Sequence, residues 1–269
     1  MTQTEIKDWD DAYANGAYVP GAADYPDKWA RAADDFRAGW PDKSLDLAYG
    51  TSDREKLDFF FPKGASRGLL VFVHGGYWLR FDKNFWSQFA AGSLSRGWTV
   101  CLPSYDLAPA VGIGDITKQI GSAVIFAGQS CDGPVRLAGH SAGGHLATRM
   151  ICDDTPLAAA TLKRVENVVS ISGLHDLRPL RRTKMNEAFS LSEDGAAEES
   201  PALRAKIADC PVTAWVGARE RPEFVRQSRL LSEAWAGTRF HEEPGRNHFD
   251  VIDALKDPDS ELVRTLVSA

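Results

Sequence analysis

The spacing of hydrophobic and polar positions changes several times along this chain. Over residues 1–44 no strand pattern occurs. Past Pro26, the residues Trp29, Ala33, Phe36 and Trp40 recur at helical intervals, which gathers them on one face of an amphipathic helix. The period shifts from Leu45 onward. Leu57, Phe59 and Phe61 alternate with polar neighbours, as in a strand with one buried face. The run GLLVFVHGG is then continuously apolar and ends in glycines, which predicts a strand buried on both faces. Residues 98–105, 134–139, 167–173 and 211–217 read as further short strands, and Thr238–Glu242 is strand-like. Between them, Ile113, Ile116, Ile120 and Val124 fall at helical spacing, and Ala142–Ile151 forms a second helical run. This alternation predicts an α/β fold: a mostly parallel sheet with helices on both faces. Residues 174–205 interrupt it. They hold no clear strand, and the segment SLSEDGAAEES reads as a polar loop. The expectation is one domain over residues 1–269, with a helical N-terminal cap segment (1–44) and an insertion at 174–205 on the carboxyl edge of the sheet. Such an insertion acts as a lid or is only a surface excursion.

Composition narrows the functional classes. The chain has 269 residues, with 31 Lys and Arg against 37 Asp and Glu, a net charge of −6. That balance argues against a nucleic-acid ligand and against anionic membrane surfaces, both of which select basic patches. The opening residues MTQTEIKDWDDAYANGA contain no apolar run, so no secretory leader is expected. The stretch Ile120–Gly128 is too short to span a bilayer. Cys101, Cys131, Cys152 and Cys210 lack CxxC spacing, which predicts neither a zinc site nor a disulfide framework and points to the cytoplasm. The 8 Trp, 13 Phe and 6 Tyr either fill the core or also line a pocket for a flat small-molecule substrate. Oligomeric state is not readable from the sequence, and a homodimer is left open.

The chemistry is concentrated in PVRLAGHSAGGHL (134–146). Gly139-His140-Ser141-Ala142-Gly143 is a GxSxG sequence between a predicted strand and a predicted helix. A serine on so tight a turn is thrust out over the sheet edge, and side chains two positions to either side would strike backbone. The helix start adds N–H groups and a positive dipole end for a developing oxyanion. Ser141 is therefore the candidate nucleophile, and it needs a base. In the α/β-hydrolase arrangement the order along the chain is Ser, acid, His. Of the histidines after Ser141, His248 lies in a loop (Pro244–Asp250) after the last predicted strand, whereas His241 lies inside that strand. Glu220, just past the strand 211–217, is the candidate acid, with Asp176 as the alternative. The segment His74-Gly75-Gly76-Tyr77-Trp78 follows the first buried strand. Its glycines let backbone N–H groups of Gly76 and Tyr77, joined by Ala142, reach a reacting carbonyl oxygen. Gly75, Trp78 and Phe81 are candidate pocket residues, with His74 shaping the loop. The cationic run Arg178, Arg181, Arg182 and Lys184 either steers an anionic substrate or is a solvated face.

These segments resemble the α/β-hydrolase superfamily on its esterase and lipase side. HGGYW stands where hormone-sensitive-lipase-like esterases carry HGGG, and it is similar to the oxyanion motif of the kynurenine formamidase (arylformamidase) family. The resemblance runs from about Trp9 to Asp250. It includes Tyr105-Asp106-Leu107-Ala108-Pro109, GHSAGGHL, Ser172 to Leu180, Met185-Asn186, Arg221-Pro222-Glu223-Phe224, Arg226-Gln227-Ser228 and Asn247-His248-Phe249-Asp250. It implies hydrolysis of N-formyl-L-kynurenine to kynurenine and formate, without cofactor or metal. Ser141, Glu220 and His248 fall on that family's triad positions, with glutamate where the family usually shows aspartate. Relatives with this signature are also described as esterases or thioesterases.

Overall fold

A computed structural model describes residues 6–267; the first five residues of the expected N-terminal cap segment lie outside it. Eight strands form one sheet in the order β1-β2-β4-β3-β5-β6-β7-β8. They are β1 (Lys43–Ala48), β2 (Lys56–Phe60), β3 (Leu69–Val73), β4 (Thr99–Pro103), β5 (Val135–His140), β6 (Val165–Ile171), β7 (Val212–Gly217) and β8 (Arg239–Glu243). Strands β1 and β2 run antiparallel to their neighbours, whereas β3 to β8 are mutually parallel. The carboxyl ends of the parallel strands therefore share one edge, where sites form in such sheets.

Both sheet faces are buried. Leu69, Val71 and Val73 of β3 pack with the helices Ile113–Ser130 and Ala142–Arg149 into one apolar cluster. Leu70 and Phe72 point the other way, into a cluster with Trp86, Trp98 and Leu262. The period-2 alternation of a pleated strand explains why a continuous apolar run fits here. Strand β2 departs from the expected half-buried pattern. Phe59 and Phe60 pack on opposite faces, and Phe61 falls beyond the strand end. Asp58, which reads as a solvent-facing residue, is fully buried and ion-paired with Lys83 at 2.8 Å. Strand β1 went unseen because its outer half is exposed and its pairing with β2 is irregular.

The helix Tyr25–Gly39 follows its spacing, with Trp29 and Ala33 buried. In the region 174–205, the polar stretch read as a loop contains the helix Glu193–Glu198, capped by Ser192 Oγ accepting from the Gly195 N–H at 2.9 Å. Among the described residues, no helix is long and apolar enough to cross a membrane.

Candidate active site

The turn from β5 into the helix Ala142–Arg149 carries Ser141 with φ 55° and ψ −119°, a conformation L-residues seldom adopt. The flanking glycines have a steric cause. A Cβ on Gly139 would lie 2.1 Å from Gly143 O, and one on Gly143 would lie 2.0 Å from Val73 O. Ser141 lines a cavity of about 530 Å³ at the carboxyl edge of the sheet, and His248 lines it as well. Among the described residues, Ser141 Oγ makes no hydrogen bond; its backbone N–H donates to Ile171 O at 2.8 Å.

Glu220 and His248 are brought together. His248 Nδ1 lies 2.6 Å from Glu220 Oε2, inside the hydrogen-bond range. The other carboxylate oxygen accepts from the Gly217 N–H at 2.8 Å and from Ser172 Oγ at 2.5 Å. With both oxygens engaged, the carboxylate has little freedom to turn away from the imidazole. Asp176 is engaged elsewhere, receiving Arg178 Nε and Nη2, each at 2.9 Å. A second residue fixes the His248 loop. His140 Nε2 donates to the His248 backbone carbonyl at 2.8 Å, and the two rings lie 4.7 Å apart. Burial, aided by His248, pushes the His140 pKa well below the ordinary range and keeps the ring neutral. The roles of His140 and Ser172 had no sequence signal beyond their position beside the motif and at the end of β6.

The segment after β3 is wound in the left-handed region. Gly76, Tyr77, Trp78 and Phe81 have φ of 117°, 54°, 56° and 72°. A Cβ on Gly76 would lie 2.4 Å from Arg80 O, so only glycine fits there. Among the described residues, the backbone N–H groups of Gly76, Tyr77 and Ala142 find no acceptor, which leaves them available to an oxyanion. His74 shapes this turn. Its Nδ1 lies 2.8 Å from Gly75 O and its ring stacks on Tyr105 at 4.2 Å.

The cavity walls differ in part from expectation. Gly76, Tyr77 and Phe81 line the cavity. Trp78 does not. The left-handed turn sends it into the core, fully buried, with its ring against His145 and Phe189 at 5.1 and 5.8 Å. Gly75 lies beneath the cavity, where a Cβ would meet His140 O at 2.8 Å and Ser141 Cβ at 3.1 Å. Trp78→Ala is accordingly expected to cost about 3–5 kcal/mol of stability in urea unfolding. A wall residue would instead change KM and leave the unfolding midpoint in place.

Residues 174–205 contribute nothing to the cavity wall, and the cationic run 178–184 does not reach it either. Part of that run is engaged elsewhere, with Arg178 on Asp176 and Arg182 over the Trp9 ring. The N-terminal segment covers the site instead, through Tyr13, Asn15, Ala22, Pro26 and Trp29. It is tied to the chain just after Glu220. Arg221 Nη2 pairs with Asp11 at 2.5 Å, Tyr13 Oη donates to Glu223 at 2.9 Å, and Tyr77 Oη donates to Tyr13 O at 2.7 Å. Trp29 completes an aromatic wall, 5.0 Å from Trp86 and 6.1 Å from Phe81. Among the described residues, no three His, Cys, Asp or Glu side chains converge to hold a metal ion.

Comparison with known proteins bears on the fold and family. Residues 70–265 match the model of the alpha/beta hydrolase family. Kynurenine formamidase of Danio rerio is 29% identical over 236 residues, 83% of this chain and 80% of that protein. The Drosophila melanogaster kynurenine formamidase is 27% identical over 241 residues, 82% of this chain and 79% of that one. A crystal structure from Silicibacter sp. TM1040, provisionally described as a thioesterase, superposes with TM-score 0.94 at 52% identity, covering 96% of this chain and 98% of that one. Esterase B of Lactobacillus rhamnosis shares the fold alone, with TM-score 0.67 at 18% identity over 90% of this chain and 93% of that one.

Proposed function

The chain belongs to the alpha/beta hydrolase family, and within it we propose that it is a serine hydrolase cleaving the formyl amide of N-formyl-L-kynurenine to kynurenine and formate. The observation that carries this reading is the Glu220–His248 hydrogen bond opening, together with Ser141, on one aromatic-walled cavity. Formamidase relatives matched over most of the chain suggest the leaving group: an aniline ring would lie against the wall formed by Trp29, Phe81 and Trp86.

In the proposed mechanism Ser141 Oγ turns toward His248 Nε2 and attacks the formyl carbon, and the imidazole takes the hydroxyl proton. Glu220 holds Nδ1–H and stabilises the imidazolium. The carbonyl oxygen becomes an oxyanion facing the N–H groups of Gly76, Tyr77 and Ala142. Collapse breaks the C–N bond as His248 returns the proton to the aniline nitrogen. Water, deprotonated by His248, then attacks the formyl-enzyme and releases formate. Four unpaired cysteines support a reducing, cytoplasmic setting.

A second reading, hydrolysis of a small ester or thioester, is favoured by the 52% identical structure described as a thioesterase. Comparing kcat/KM separates the two. N-formyl-L-kynurenine is expected to exceed p-nitrophenyl acetate and short acyl thioesters by about a hundredfold, the contribution of an aromatic wall plus one polar anchor. An order favouring the thioesters overturns the formamidase reading.

A further inference from the structure

Among the described residues lining the cavity, the one side chain with a permanent charge is Arg80, a cation in a protein of net charge −6. We infer that Arg80, with the amide of Asn15, forms a carboxylate subsite that selects substrates bearing an anionic group on the leaving-group side. The inference rests on the reading that the cavity above Ser141 holds the substrate, and not on which acyl bond is cleaved there.

Arg80 differs from the other arginines around the site. Arg178, Arg221 and Arg226 are committed to Asp176, Asp11 and Glu223. Arg80 has no carboxylate partner among the described residues, and its guanidinium lies 5.6 Å from the Phe81 ring centroid. Its backbone is fixed, because the Arg80 N–H donates to Gly76 O at 3.1 Å and closes the turn that carries the oxyanion N–H groups. That bond fixes the backbone from which the exposed Arg80 side chain reaches the cavity wall.

Asn15 supplies the second, independent observation. It lines the same cavity and is 5% exposed, yet its Nδ2 has no hydrogen-bond partner. A buried donor left unpaired is costly, and a ligand oxygen would satisfy it. A planar guanidinium takes a carboxylate through two parallel N–H donors.

A matched pair of aryl acetates tests the subsite: 3-(4-acetoxyphenyl)propanoate and the neutral 3-(4-acetoxyphenyl)propanamide. Wild type should prefer the anion by about tenfold to a hundredfold in kcat/KM, the ratio expected of hydrogen bonds to a charged group. Arg80→Met should abolish the preference through a higher KM for the anion, with the amide changed less than about threefold. Asn15→Ala should remove a smaller part. Calorimetric binding of 3-phenylpropanoate against 3-phenylpropanamide gives the same comparison without turnover. Equal treatment of anion and amide by wild type, or equal losses in Arg80→Met, overturns the subsite. The two readings fail separately. If N-formylkynurenine is not cleaved but the anion preference is present and depends on Arg80, the formamidase reading fails alone. Cleavage unaffected by Arg80→Met leaves that reading in place and removes the subsite.

Discussion

Ser141→Ala is expected to lower kcat by roughly three to six orders of magnitude while the protein melts at its normal temperature. The size of the loss follows from the division of labour at the site. His248 has its Nδ1 occupied by Glu220 at 2.6 Å, so its other nitrogen is the one free to serve a nucleophile. With the hydroxyl gone, the base has nothing to activate but water, and the backbone donors alone supply the residual rate. Ser141 is 2% exposed and its side chain makes no hydrogen bond among the described residues, so removing one oxygen disturbs little packing. Steady-state rates beside thermal unfolding followed by circular dichroism check both halves. A variant within tenfold of wild type would remove Ser141 from the mechanism. Glu220→Gln should lose about 10³–10⁴ in kcat, the cost of misorienting a catalytic imidazole. Asp176→Asn should lose little, since that carboxylate serves Arg178.

A second large effect concerns acid. Four histidines, His74, His140, His145 and His175, are fully buried. Burial is the leading cause of their depressed pKa values: about 4 for His74, about 3 for His145 and His175, and well below the ordinary range for His140. In the unfolded chain each titrates near 6.5. Below that pH the unfolded state takes up protons that the folded state refuses. Stability is therefore complete above about pH 6.5 and is lost as the pH falls, at about 1.4 kcal/mol per pH unit for each ring. At pH 5 His74, His145 and His175 together remove about 6 kcal/mol, and His140 acts in the same direction. Urea unfolding at pH 8, 6.5 and 5 should show a steep decline below 6.5. His175→Gln should reduce that slope by one proton, whatever it does to stability at pH 8. A flat profile between pH 6.5 and 5 would contradict the neutral burial of these rings.

Much of the fold and part of the candidate site were legible in the sequence because they rest on local constraints. A strand buried on both faces must be apolar throughout, and a serine on a tight strand-to-helix turn must have glycines where backbone closes in. Those constraints left β3, β5 and the motif around Ser141 in plain view. What stayed hidden depended on direction and partnership. Trp78 read as a pocket residue because it adjoins Gly76, but left-handed backbone over Gly76 to Trp78 reversed the chain and buried it. Asp58 looked like a surface residue because its partner, Lys83, is 25 positions away and reaches it only in the folded chain. Arg80 carried no signal at all. A single cation in a loop is ordinary until its neighbours prove to be paired and it does not.

The covering of the cavity by residues 13–29 separates two kinds of information along the chain. The stretch matched by the family model starts at residue 70 and contains Ser141, Glu220 and His248. Tyr13, Asn15 and Trp29 lie before it. The cavity wall thus draws on two segments, with Tyr13, Asn15 and Trp29 from the one and Arg80, Phe81 and Trp86 from the other, joined by the ties from Arg221 to Asp11 and from Tyr13 to Glu223. Such a chain can reshape one side of its cavity by rewriting residues 13–29 while Ser141, Glu220 and His248 stay as they are. Two relatives with superimposable catalytic cores are under no obligation to share a substrate.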